Sequence, residues 1–200
     1  AVLKQMLPYF SRVFANPASV HTPGQSALNA LDDARYGIAE LLGVSGHDLT
    51  FTSGATEANN LVLRGIADAH AKLKRRHIIT TRIEHDSILE PLRQLETQGV
   101  AVSYLPVNSK GQVSPEEVIA ALRDETLLVS IGYVNSETGS VQPIKQIGRR
   151  LRAYNERRLK DWLNTPARKR VAKPLPVLFH SDATQAANFF DCRPSALQTD

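Results

Sequence analysis

The sequence predicts an α/β fold, a three-layer sandwich built on a mainly parallel sheet, and three observations carry that expectation. Short apolar runs of strand length alternate with longer segments whose apolar residues recur at helical spacing. Each helical segment lies between two such runs, and parallel strands need crossovers of that kind. Four polar clusters, Ser53 to Thr56, Glu84 to Asp86, Asn135 to Thr138 and Ser181 to Gln185, follow the carboxyl ends of the expected strands. Ligands of open α/β sheets bind there.

The elements follow in order. Leu28, Leu31, Ile38, Leu41 and Leu42 keep helical spacing, and Gly43 supplies a stop. "LTFT" at 49–52 reads as a short strand, "SGAT" as a tight turn, and "EANNLVLRGIADAHAKL" at 57–73 as the next helix. "HIITT" at 77–81 is a strand, "SILEPLRQLETQ" at 87–98 a helix stopped by Gly99, and "VAVSYL" at 100–105 a strand. "SPEEVIAALRDE" opens with Ser114 as N-cap, Pro115 in the first turn and Glu117 three residues after the cap, a capping-box signature. "TLLVSIGYV" at 126–134 is the most strand-like run. A helix is expected from about Pro143 through Ile144, Ile147 and Leu151, and strand "PVLFH" closes the series.

With 200 residues, 42% hydrophobic and 22% charged, the chain can bury a substantial core, and residues 1–200 are expected to form most of one large domain. One cysteine, Cys192, excludes a disulfide framework and a multi-cysteine zinc site and points to a reducing compartment, the cytoplasm by default. No apolar run is long enough to span a bilayer, and the opening "AVLKQMLPYFSRVFANP" lacks the layout of a signal peptide. It also lacks an initiating Met, so the chain is expected to begin within a longer protein. The net charge of +4 is concentrated between Arg157 and Lys173, where seven basic residues face one acid. Pro166 and Pro174 make residues 156–174 read as a basic surface insertion, a solvated loop, with an RNA or acidic-partner patch as the lesser alternative.

"TSGATEANN" sets Gly54, Ala55 and Thr56 between an expected strand and a helix N-terminus. Its free amides and the Thr56 hydroxyl suit a phosphate, and a plain small-residue turn capped by Thr56 is an equal reading. His85 directly follows a strand, a place that suits proton transfer and also an ordinary surface residue. No second ligand at metal spacing accompanies it. Asn135 and Ser136 suit ligand hydrogen bonds and turn formation alike. Asp182, at the end of an interior strand, must meet a cation or cap the helix that follows, because an unpaired buried carboxylate costs several kcal/mol or more. Gln185 lies one turn further on.

Taken together, "FTSGATEANNLVL", "IEHDSIL", "VSIGYVNSETGSVQPI" and "HSDATQA", in this order and spacing, closely resemble the cysteine desulfurases, enzymes of the fold-type I, class V aminotransferase group that use pyridoxal 5'-phosphate. "NPASVHTPGQSALNALDDAR" resembles the family's early segment. The resemblance implies the large domain of a fold-type I transferase, with Asp182 against the pyridinium nitrogen of the cofactor and Gln185 at its phenolic oxygen. It also implies Ala55 and Thr56 at the phosphate, and His85 stacked on the ring and assisting proton transfer. The second asparagine of the family's Val-Asn-Asn-Glu motif is Ser136 here, which leaves that cofactor contact in question.

The implied reaction converts L-cysteine to L-alanine, with sulfur passed to an enzyme persulfide for iron–sulfur cluster assembly or tRNA thiolation. A homodimer and a sulfur-acceptor or scaffold protein are implied partners; no metal, membrane or nucleic acid is. The family's Schiff-base lysine, in a Ser-x-His-Lys motif after "DATQ", is not among residues 1–200, and neither is the persulfide cysteine, for which Cys192 is misplaced. The chain is therefore expected to end before its covalent anchor. The competing readings are another class V enzyme, such as a selenocysteine lyase or an aminotransferase, and a truncated, non-catalytic binding or dimerisation module.

Overall fold

The computed structural model describes residues 1–71, 76–169 and 171–200. The chain divides into two compact units, residues 1–51 and 52–200.

The first unit is helical. Helix α1 (Val2–Ser11) buries none of its residues, and α2 (Thr22–Leu42) begins six residues before the expected start because His21 caps it, its Nδ1 accepting from Gly24 N at 3.1 Å. Gly43, at φ 65°, ends α2 as expected. The run at 49–52, expected as a strand, is irregular: no strand lies beside it among the described residues, and the Leu49 carbonyl accepts instead from Arg35 Nη1 at 2.6 Å. Its apolar Phe51 lies under the Arg35 guanidinium, 4.9 Å from the ring centre.

The second unit is the expected sandwich. Helix α3 (Ala55–Ala69) precedes β1 (His77–Thr81), α4 (Asp86–Thr97), β2 (Ala101–Leu105), α5 (Pro115–Ala120), β3 (Thr126–Ser130), α6 (Ile144–Asn164), β4 (Leu178–His180) and α7 (Pro194–Leu197). The strands are all parallel, in the order β2-β1-β3-β4. Alternation along each strand divides the core in two. Ile78 and Leu128 turn to one face, where they pack with Leu63 of α3 and with Ile88 and Leu92 of α4. Ile79, Val129 and Phe179 turn to the other, against Val118 of α5, Ile147 and Leu151 of α6, and Leu197 of α7. On that face α6 and α7 approach so closely that a Cβ at Gly148 would lie 2.6 Å from the Leu197 carbonyl.

In the second unit, four boundaries differ from expectation by more than two residues. Strand β3 ends at Ser130 rather than 134, although Ile131 N and Tyr133 N still donate to the carbonyls of His180 and Asp182 at 3.1 and 2.8 Å. Helix α5 stops at Ala120, and Thr126 then forms a tight turn in which its hydroxyl accepts from Arg123 N. The basic segment read as a loop is helical in its first half: α6 runs to Asn164, carrying Arg157, Arg158 and Lys160, and the segment becomes irregular around Pro166. Pro166 has no N–H to continue the helical bonds and disfavours helix in the residue before it, so the break falls there and not at 156. Helix α3 ends at Ala69 with His70 as its C-cap, short of the expected Leu73, which lies outside the described residues, as does Arg170 within the basic segment.

Candidate functional site

From β1 the chain passes through α4 to β2 on one side, and through α5 and β3 it moves to the other. The carboxyl ends of β1 and β3 are therefore the topological switch point. A cleft of about 440 Å³ opens there. It is lined by the segment after β1 (Glu84 to Ser87), the loop after β3 (Gly132 and Val134 to Thr138), the segment after β4 (Asp182, Thr184, Gln185) and Ala55 of α3. Of the residues singled out in the sequence, Ala55, His85, Ser136, Asp182 and Gln185 converge on this cleft; Thr56 is exposed in the first turn of α3, outside the lining.

Asp182 is half-buried, and each of its carboxylate oxygens accepts one hydrogen bond: Oδ2 from Asn59 Nδ2 at 2.8 Å, Oδ1 from Thr184 N at 3.0 Å. Burial works to raise its pKa, yet the Asn59 and Thr184 bonds and nearby His180 hold it below the usual carboxylate value. An anion with spare lone pairs therefore faces the cleft.

Glu84 has the opposite character. Its oxygens accept from Thr81 Oγ1 at 2.6 Å and Gly132 N at 2.9 Å. Burial, aided by the Asp182 charge and only partly offset by those bonds, raises its pKa to about 7. A Cβ at Gly132 would lie 2.9 Å from Glu84 Oε2, so the glycine is what allows this contact.

His85 caps α4, its Nδ1 accepting from Ser87 N at 3.0 Å and lying 2.8 Å from Ser87 Oγ. Ser87 Oγ in turn accepts from Asn59 Nδ2 at 2.9 Å. Asn135, read from the sequence as a possible ligand contact, is committed to the fold. Its Nδ2 donates to the Ile83 carbonyl at 2.8 Å, and its Oδ1 accepts from the backbone of Glu137 and Thr138.

At the N-terminus of α3 no side chain of the helix cap accepts from the first-turn amides, while the Glu57 carboxylate is taken up by Ser53 N at 2.6 Å. Aligned free amides at the positive end of a 15-residue helix suit a phosphate. A Cβ at Gly54 would meet nothing within 4 Å, so the approach is open. Cys192 lies outside the cleft lining, and burial together with Asp191 pushes its thiol pKa up, away from a reactive thiolate. Among the described residues no cluster of three His, Cys, Asp or Glu is placed to hold a metal ion, and no helix is long and apolar enough to cross a membrane.

Asn59, Ser87 and Gly132 were not singled out in the sequence, and Glu84 was read only as a member of the polar cluster Glu84 to Asp86. For Asn59 a signal existed: it shares a stripe with Leu63 and Ala67 at intervals of four on α3, and an amide on a buried stripe must have partners. For the other three no local signal distinguishes them from turn residues.

Comparison with known proteins fits this arrangement. The cysteine desulfurase IscS of Rickettsia prowazekii is 44% identical over 185 residues, 92% of this chain and 40% of the relative, and that of Methanosarcina thermophila is 40% identical over the same shares. Among solved structures, a NifS-like protein superposes with a TM-score of 0.86 at 33% identity, covering 100% of this chain and 49% of its own. The structure of SspA in complex with cysteine superposes with a TM-score of 0.85 at 34% identity, covering 100% and 51%. The chain thus spans less than half the length of these curated relatives. The aminotransferase class-V family model matches residues 1–162, so the four-stranded parallel sheet and the cleft at its switch point are those of a chain that belongs to the class-V aminotransferase family.

Proposed function

We propose that residues 1–200 are the larger part of the cofactor-binding domain of a cysteine desulfurase that uses pyridoxal 5'-phosphate. L-cysteine is its substrate, and sulfur leaves it for an acceptor protein. The family implies the cofactor; the names of the relatives support the reaction. The observation that carries the reading is Asp182, an anion held at the switch point by Asn59 and Thr184 with lone pairs left over.

The donor set fits the group. Asp182 would accept from a protonated ring nitrogen, the free amides of Ala55 and Thr56 would hold the phosphate, and the Gln185 amide would donate to the phenolic oxygen. The His85 imidazole, at the cleft wall, moves a proton at the substrate. When bound, pyridoxal phosphate supplies an electron sink for bond breaking at the amino acid. Burial raises the Glu84 pKa to about 7, which works against a second full charge beside Asp182. A homodimer that docks a sulfur acceptor is the assembly we infer from the family resemblance.

Absorbance and fluorescence titration of the chain with pyridoxal phosphate should show saturable, non-covalent binding that Asp182→Ala abolishes. Borohydride should fix no cofactor specifically to a lysine of residues 1–200. No saturable binding, or equal binding by Asp182→Ala, overturns the reading. Following the coding sequence past Asp200 tests the reaction. A Ser-x-His-Lys motif with a later cysteine supports the desulfurase, the lysine without the cysteine points to another class V enzyme, and an immediate stop favours a non-catalytic module.

A further inference from the structure

Asn59 and Ser87 form a buried relay that joins the two residues of the cleft with opposite roles. Asn59 is 3% exposed and Ser87 6%. The amide of Asn59 reaches Asp182 Oδ2 and Ser87 Oγ at 2.8 and 2.9 Å, and both contacts use Nδ2. An ionised carboxylate only accepts, so the atom facing Asp182 must be the NH2 group, and both of its hydrogens are committed. Ser87 Oγ therefore accepts from Asn59, which frees its own hydrogen to donate. His85 Nδ1, 2.8 Å away, is the acceptor in reach. That nitrogen already accepts from Ser87 N. With two donors aimed at Nδ1, the neutral ring carries its proton on Nε2.

We propose that Asn59 is a positioning residue: one amide fixes the Asp182 carboxylate and, by donating to Ser87 Oγ, turns the Ser87 hydroxyl hydrogen onto His85 Nδ1. The inference rests on the reading of the cleft as a pyridoxal phosphate site, since only that reading gives Asp182 and His85 their tasks. The chain then has a built-in reason for its buried amide. A carboxylate that would accept from the ring nitrogen and an imidazole that would present Nε2 are held by one group, so a shift of either is felt by the other.

The test is made on the folded chain without cofactor, so that its outcome is independent of whether the cofactor reading holds. Long-range ¹H–¹⁵N spectra report the His85 tautomer, and ¹³C titration reports the Asp182 carboxyl. In Asn59→Leu, close in size and without donors, the Asp182 carboxyl should titrate about one unit higher. The His85 Nδ1 resonance should shift in the same variant, with the proton kept on Nε2 by Ser87 N. In Ser87→Ala only the His85 signal should change, with Asp182 titrating as before. Unchanged Asp182 and His85 signals in Asn59→Leu overturn the proposal. Should Asn59→Leu not fold, Ser87→Ala decides: an unchanged His85 pattern, or an Asp182 shift as large as expected for Asn59→Leu, overturns it. Pyridoxal phosphate titration of the same variants is a separate arm, and absence of binding by the parent chain sinks the cofactor reading while leaving the relay measured.

Discussion

The two ends of the sheet both bury polar groups, and they use them differently. At the amino end His77 is 0% exposed, yet its ring is saturated: Nδ1 lies 2.9 Å from Thr126 Oγ1 and Nε2 2.9 Å from Ser103 Oγ. The three strands β2, β1 and β3 are pinned together there, and no capacity remains for a ligand. At the carboxyl end Asp182 keeps spare lone pairs, Glu84 is held at a pKa of about 7, and the hydroxyls of Thr80 and Ser181 are buried without a partner. A saturated buried group stabilises; an unsaturated one is a cost the fold carries. What distinguishes structure from site in this molecule is unused hydrogen-bonding capacity rather than burial.

The largest expected effect separates the ends outright. In the enzyme containing this domain, Asp182→Asn should lower desulfuration on the order of a hundredfold or more, with far-ultraviolet circular dichroism and thermal midpoint kept. Wild-type turnover would remove the carboxyl end from the mechanism.

Next comes a pair of opposed pH dependences. His77 titrates at about 4 in the fold, chiefly through burial, against an ordinary value of 6.5. The unfolded chain takes up that proton first, so the stability His77 contributes is complete above about pH 6.5 and is lost as pH falls toward 4. Glu84 titrates at about 7 against 4.5, so its contribution is complete below about pH 4.5 and is lost as pH rises toward 7. Each slope reaches about 1.4 kcal/mol per pH unit, with opposite signs over nearly the same window, so the two offset each other in the parent. Chemical denaturation between pH 4.5 and 6.5 should show stability that rises with pH in Glu84→Gln and falls with pH in His77→Gln. Parallel slopes in the two variants would break the comparison.

A smaller effect is expected at Gly132. Gly132→Ala sets a methyl 2.9 Å from Glu84 Oε2, and displacing that carboxyl should cost about 1 kcal/mol. The Glu84 titration should move with it, whereas Gly148→Ala, which crowds the Leu197 carbonyl far from Glu84, should lower stability and leave that titration alone. Smallest of all, Cys192→Ser should leave cofactor affinity unchanged and stability within about 0.5 kcal/mol. A large loss of affinity would extend the site to a residue outside the cleft.

Much of the fold was legible because periodicity is local. "HIITT" shows its strand character without reference to anything distant, and the capping residues Ser114 and Gly43 announce the ends of their helices. The run at 49–52 misled because strand propensity needs a neighbouring strand to be realised, and the basic segment misled because charge suggested a loop where helical spacing continued to Asn164. Asp182, His85 and Gln185 stood out as polar residues at strand ends. Glu84 stood in one of those clusters, but its role and that of Gly132 did not show, since their meaning lies in a contact across 48 residues of sequence. Asn59 left a sign in its buried stripe, but its carboxylate partner, supplied by the segment after β4, did not show.

That last distance has a consequence for biosynthesis. The bond from Asn59 to Asp182 closes a span of 123 residues, and β4 joins the sheet only through β3. On the ribosome, α3, β1 and α4 emerge long before the residue that completes them. During that interval Asn59 and Ser87 lack the carboxylate, and the nascent cleft lacks its anion. Loop closure over such a length slows the final docking relative to the local helices. Capture of a ligand at this site is therefore ordered in time by synthesis itself: it waits until Asp182 has been made.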